Sequence, residues 1–374
     1  MAAWDPEPDY FHHWIRDAAM ALRAWPEAAA AAGPPERRWW EEALADHLRF
    51  SLALCDPGRR GPGANPIAGT TRPDHRRFLR PASELRALRG AAWLEEPRFA
   101  ADGGPDVERW GRPQDDGPAL RASACLRLAE ERPEVAGADL DRLVSRDLAH
   151  LVRVAGRPCI GPWEDGPERR VGFTLIAQWD ALERGARRNA ELGRPADAAA
   201  CAGAAARVMG LIEGTADPRE PAWRESVEAP PGRVDAGTVL AILHAGRTEG
   251  PLGLGAPRTL GTVAALERRF ARWPVSRPGA AAMGRWPGDD FAGGNPWYPV
   301  TLGLAELHYR IGTPAAVAKA EAWMALVEAV APEGDDLPEQ FDRETGEPRS
   351  CLGLTWSAAA FLGAAAARRA AGLA

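Results

Sequence analysis

The chain has 374 residues, enough for one large domain or two ordinary ones. Hydrophobic residues make up 45% and charged residues 26%, as in globular proteins, and a net charge of −6 with no basic cluster excludes a nucleic-acid binder. No apolar run approaches membrane-spanning length, and the seven His never fall at HExxH or similar spacing, so neither a membrane partner nor a metal or other cofactor is expected.

The N-terminal residues MAAWDPEPDY are acidic and broken by Pro, unlike a signal peptide. The five Cys (Cys55, Cys125, Cys159, Cys201 and Cys351) are odd in number, widely spread and without a CxxC pair, so they read as buried thiols of a cytoplasmic protein. The first helical pattern runs from Phe11 to Trp25, with Phe11, Trp14, Ala18, Leu22 and Trp25 on one face and Arg16 and Asp17 inside it. A second spans about Pro35 to Leu54. Gly, Pro and Arg then dominate from Asp56 to about Arg80, a loop long enough to shape a site.

The stretch WGRPQDDGPALR, Trp110 to Arg121, gathers aromatic, basic and acidic side chains at a helix mouth. Asp116 suits an N-cap and Pro118 the first turn of a helix reaching about Glu131. A helix over Asp139–Val154 is followed by a loop with CIGPWEDG, Cys159 to Gly166. Helices over Val171–Leu192 and Pro195–Glu213 come next, then a short one capped by Asp235 and another over Thr259–Ala271. The Gly-rich loop Pro278–Pro296 contains GRWPGDDFAGGNPW and precedes helices over Trp297–Ile311 and Pro314–Val330. The loop Ala331–Gly353 holds PEQFD, and a last helix runs from Leu354 to about Ala370.

Eleven helices and no strand point to an all-α chain. Long loops rich in Trp, Arg, Asp and Glu alternate with short plain turns. That is the expected pattern of an (α/α)6 barrel, with functional loops gathered at one end. An irregular helical bundle is the competing architecture. The 15 Trp beside 3 Tyr also fit sugar binding, since indole faces stack on the apolar faces of sugar rings, although many of them must fill the core.

Four segments, in chain order, resemble the glucoamylases, inverting exo-acting hydrolases of glycoside hydrolase family 15. PDYFHHWIRDAAM (Pro8–Met20) is similar to the family's PDYFYxWxRD, the Trp110 stretch to WGRPQxDGPALR, and PWEDG (Pro162–Gly166) to LWEE. GRWPGDDFAGGNPW (Gly284–Trp297) follows, then PEQFD (Pro338–Asp342) and LTWS (Leu354–Ser357). The resemblance covers nearly the whole chain and implies a single catalytic domain, residues 1–374, that takes terminal α-linked glucose from oligo- or polysaccharides in carbohydrate metabolism.

Glu164 falls at the general acid and Glu339 at the general base of that family. Arg16 and Asp17 would bind the hydroxyls of the terminal glucose, walled by Tyr10 and Trp14, with Trp110 beside the acid. Trp163 and Asp165 flank the acid in its motif. Arg285 and Asp289 would hold the next sugar, with Trp297 packing under it and Trp356 supporting the base loop. Arg112, Gln114 and Asp116 would act as supports behind these. The chemistry asks for such a pair independently: one protonated carboxyl for the leaving oxygen and one ionised carboxyl to activate water. Trp163 and Asp165, an apolar wall and a like charge, should keep Glu164 protonated, while Glu339 should be reached by water.

Two departures stand out. Gly161 replaces an acidic residue three positions before the acid, and Asp165 replaces the Glu that follows it. They leave open enzymes for α-1,6 links or trehalose, beside a non-catalytic sugar-binding protein on the same barrel. A sugar epimerase would need catalytic His residues that His12 and His13 do not convincingly supply. The first of the family's twelve helices and the β-sandwich of bacterial relatives are expected to be absent. The resulting seam between first and last helices should be filled by Met1–Pro8 with nearby loops, or by a second subunit in a homo-oligomer.

Overall fold

The computed structural model describes residues 1–3, 10–334 and 336–373. Apolar residues at helical spacing produce twelve α-helices among these residues: α1 (Ile15–Ala31), α2 (Pro34–Leu54), α3 (Ala82–Ala87), α4 (Gly117–Glu131), α5 (Ala138–Val154), α6 (Gly172–Glu191), α7 (Pro195–Glu213), α8 (Ala236–Ala245), α9 (Pro257–Phe270), α10 (Tyr298–Ile311), α11 (Pro314–Val330) and α12 (Thr355–Ala370). Eleven correspond to the expected helices, and α3 is an additional short one in the connection after α2. Four strands of two residues each form two small antiparallel pairs, β1 (His13–Trp14) with β2 (Arg98–Phe99) and β3 (Gln340–Phe341) with β4 (Pro348–Arg349). The expectation of no strand is corrected to that extent.

Helices α1, α4, α6, α8, α10 and α12 form a closed inner ring, each packing on the next and α12 returning to α1. Helices α2, α5, α7, α9 and α11 lie outside it. This is the (α/α)6 architecture. The seam expected between the first and last helices, to be filled by other parts, is not there, because α1 and α12 pack directly on each other. What the described residues lack is a sixth outer helix, and Ala21 of α1 and Ala358 and Phe361 of α12 remain exposed. Of the segment expected to fill the seam, residues 4–8 lie outside the described residues, as do Pro8 and Asp9 of the first motif. Ala2 and Ala3 are buried, and the Ala2 carbonyl accepts a 2.8 Å hydrogen bond from the Thr355 amide at the start of α12.

Close packing of the inner ring depends on small residues. A Cβ on Gly303 of α10 would stand 2.4 Å from Leu240 Cδ2 of α8, so a larger residue there would have to displace that buried side chain. The connection between α2 and α4 carries a small core of its own, in which Leu85, Leu88, Trp93 and Phe99 pack against Ile15 and Leu54. It is therefore a built element and not merely a loop.

The inner helices all begin at the same end of the barrel, so the positive ends of six helix dipoles converge there. Arginines complement the opposite end. Arg127 and Arg184 donate to the carbonyls of His244 and Ala245 at the close of α8, at 2.8 and 3.2 Å. Arg310 donates to the buried Glu306 at 2.8 Å.

Candidate active site

At the end where the inner helices start lies a cavity of about 390 Å³. Tyr10, Trp14, Arg16, Asp17, Trp110, Trp163, Glu164, Asp165, Arg285, Trp297 and Glu339 all line it. Segments far apart in sequence are thus joined in one site, because each expected residue sits at or just before an inner-helix start or in the loop above one. Asp289 is the exception. It stays off the wall and clamps Arg285, accepting from Nε at 2.7 Å and from Nη2 at 2.5 Å.

Trp356 does more than support the base loop. It forms wall itself, stacked on Trp163 with ring centres 5.9 Å apart and planes 15° apart. Trp297 meets Trp163 edge-on at 5.3 Å. Asp290 and Phe291 complete this side and were missed in the sequence, although they belong to the GDDF of the same motif. Across the cavity Trp14 contacts Tyr10 edge-on at 5.4 Å and lies 6.2 Å from Trp110.

Glu164 is carried by a tight turn. Gly161 has φ +73° and Glu164 itself φ +58°, a left-handed conformation unusual for a side chain with a Cβ. A Cβ on Gly161 would stand 3.1 Å from Val171 Cγ1. That accounts for glycine where the family carries an acidic residue. Oε1 of Glu164 accepts from Trp14 Nε1 at 2.6 Å and from Arg16 Nη2 at 2.9 Å. The polar groups that meet the Glu164 carboxyl are therefore donors, in place of the apolar wall and like charge expected from Trp163 and Asp165. Trp163 donates its indole N–H to both oxygens of Asp235, at 3.0 and 2.9 Å. Asp165 is half-exposed and faces Arg285 at 3.9 Å. Adjacency in sequence was not adjacency in space.

Asp235 also caps α8, accepting from the Gly237 amide at 2.6 Å, as expected of it. Burial pushes its carboxyl up to about 7 against these donors. Asp116 does not cap α4. Its own backbone is helical and its side chain instead accepts from Arg16 Nη1 at 3.2 Å. Gln114 accepts from the same nitrogen at 2.6 Å, Arg112 donates to Asp106 at 2.9 Å, and none of these three lines the cavity. Asp17 is buried, and burial raises it to about 6 against the opposing charge of Arg16.

Glu339 sits in the α11–α12 connection immediately before β3. Its amide donates to the Cys351 carbonyl at 2.9 Å and its carbonyl accepts from the Tyr298 amide at 3.1 Å. The side chain is buried, 4% exposed, and not a freely hydrated loop carboxylate. Burial lifts it to about 7, opposed chiefly by a hydrogen bond from the Ser350 hydroxyl and by the charge of Arg285. Ser350 has φ +62°, so both carboxylates lean on a non-glycine residue in the left-handed region.

Residues 83–366 match the family model described as Glycosyl hydrolases family 15. Glucoamylase-1 of Arthroderma benhamiae is 25% identical, aligned over 95% of this chain and 62% of its own length. A glucoamylase of Neurospora crassa is 26% identical over 75% of this chain and 53% of its own. The chain thus spans about half to just under two thirds of the length of these curated relatives. Among solved structures, the glucoamylase of Saccharomycopsis fibuligera superimposes with a TM-score of 0.78 at 19% identity, covering 100% of this chain and 89% of that one. The family 15 glucoamylase of Hypocrea jecorina gives 0.77 at 24% identity, with 99% and 66% covered. These superpositions establish the barrel. With three quarters of its length matched by the family model, the chain belongs to glycosyl hydrolase family 15.

Proposed function

We propose that the protein is an exo-acting, inverting α-glucosidase of glucoamylase type, which releases terminal α-linked glucose from oligo- or polysaccharides. The observation that carries this reading is the presence of Glu164 and Glu339 on the wall of one cavity that also holds the buried pair Arg16 and Asp17. Arg16 offers a rigid fork of donors and Asp17 accepts from sugar hydroxyls. A buried pair of that kind suits the several free hydroxyls of a terminal sugar. Glu164 protonates the glycosidic oxygen as the bond to C1 breaks. Glu339 takes a proton from the water that attacks C1 from the opposite face. A base lifted to about 7 is a stronger proton acceptor than an ordinary carboxylate.

The test is the anomer of the first glucose released from a long α-glucan, whose leaving group stays polymeric, read by NMR before mutarotation. β-Glucose as the only early product supports the proposal; α-glucose or mixed oligosaccharides overturn it. A panel of maltose, isomaltose, trehalose, dextran and starch then fixes the linkage, on which the departures at Gly161 and Asp165 bear. The elevated Glu339 favours a second reading with the two roles exchanged. Glucosyl fluoride, whose leaving group needs little protonation, decides between them: the acid is whichever residue can become Gln with this substrate largely spared. Five Cys, odd in number, widely spread and without a CxxC pair, suit a reducing compartment, and we place the enzyme in the cytoplasm on that ground.

A further inference from the structure

Arg98 belongs to none of the motifs that assembled the site, yet it faces the acid directly. It stands on β2 opposite Trp14 in the strand register and is 1% exposed. Its Nε lies 2.9 Å from Asp106 Oδ2. Its guanidinium carbon is 3.3 Å from the ring centre of Trp110 and 5.0 Å from that of Trp14. Trp110 in turn donates its indole N–H to Glu108 at 2.7 Å, and that same oxygen is 3.7 Å from Arg98 Nη2. Nη1 of Arg98 is 3.7 Å from Oε2 of Glu164. This is the oxygen that takes no hydrogen bond, whereas Oε1 takes two.

We infer that Arg98 is a positioning residue that holds Trp110 beside the acid and supports the carboxylate Glu164 becomes when it gives up its proton. The inference rests on the hydrolytic reading above. As the C1–O bond breaks, its electron pair goes to the leaving oxygen, which takes the proton of Glu164. The leaving alcohol departs neutral and a negative charge remains on Glu164. Arg16 then faces one oxygen of that carboxylate and Arg98 the other. While Glu164 is neutral its interaction with Arg98 is weak. It strengthens as the proton leaves, so it acts on turnover more than on binding. A purely structural Arg98, paired with Asp106 and stacked on Trp110, would affect all substrates alike.

The experiment compares kcat and KM for maltose and α-glucosyl fluoride in wild type, Arg98→Met, Arg98→Lys, Glu164→Gln and the Arg98→Met/Glu164→Gln double variant, with thermal melts of each. For Arg98→Met we expect a loss on the order of 10–100-fold in kcat on maltose, KM within about threefold, and less than about threefold lost on the fluoride. Arg98→Lys, which keeps the charge and should keep the fold, recovers most of the maltose turnover. The double variant is no slower than Glu164→Gln alone, because the two residues act through one proton transfer. Equal losses on the two substrates, in Arg98→Lys if Arg98→Met does not fold, overturn the inference, as does a multiplied loss in the double variant. A wild-type protein that turns over neither substrate overturns the hydrolytic reading itself and the inference with it.

Discussion

Ser350 donates its hydroxyl hydrogen to Oε2 of Glu339, the oxygen of the proposed base. The bond stabilises the ionised form and so restrains the rise to about 7 that burial imposes. As a base Glu339 must be ionised, so kcat/KM should fall as pH drops through about 7. Ser350→Ala removes the restraint. The acidic limb of the pH profile should move to higher pH with the basic limb unchanged, and an unmoved or lowered acidic limb would contradict the role given to Glu339.

The same burial has a stability consequence. The folded-state value of Glu339 is raised, so the penalty of burying its charge is absent below the ordinary carboxyl range and complete above about 7. Gln carries no charge and can still accept from Ser350. Glu339→Gln should therefore be more stable than wild type by on the order of 3 kcal/mol at pH 8.5, given a rise from 4.5 to about 7, and no more stable at pH 4. Melts at both pH values check this, and the variant should at the same time be nearly inactive.

Gly111 precedes the cis Arg112–Pro113 bond and has φ +76°. A Cβ there would come within 2.8 Å of Glu164 Oε2. Gly111→Ala must strain the backbone by about 1–2 kcal/mol and push the Glu164 carboxyl aside. Activity on maltose should fall by more than about tenfold, as misplacement of a catalytic group by a fraction of an ångström entails, while the variant still folds. Unaltered turnover would mean that Glu164 needs no such fixed position.

Behind the site, Arg121 of α4 donates from Nε and Nη2 to Asp147 of α5 at 2.9 and 2.7 Å, with both side chains buried. Arg121→Met leaves the Asp147 charge without its partner and should destabilise the fold by about 3–5 kcal/mol in denaturant melts. The double variant Arg121→Met/Asp147→Leu should recover most of that loss, because no uncompensated charge remains buried. A double variant as unstable as the single one would mean that the pair contributes through shape and not charge.

The sequence alone determined the parts that depend on local order. The Ala-rich helices α7 and α11 could be placed closely, because a Pro at the first turn marks where each begins. Arg16, Asp17, Glu164 and Glu339 were legible because each stands inside a compact run of unusual residues. Only the tertiary structure decided what meets those residues. Asp116 looked like a cap, but Arg16 reaches its carboxyl from a different helix. Trp163 looked like an apolar wall for Glu164, but its indole N–H is fixed by Asp235 from the start of a different helix. Arg98 carries no motif and acquires its place because β2 pairs with β1, which sets it opposite Trp14. The expected seam is absent because α1 and α12, from opposite ends of the chain, pack on each other. In each case the deciding contact joins residues from distant segments, and the energy of ion pairs, hydrogen bonds and burial depends on that spatial neighbourhood rather than on position along the chain.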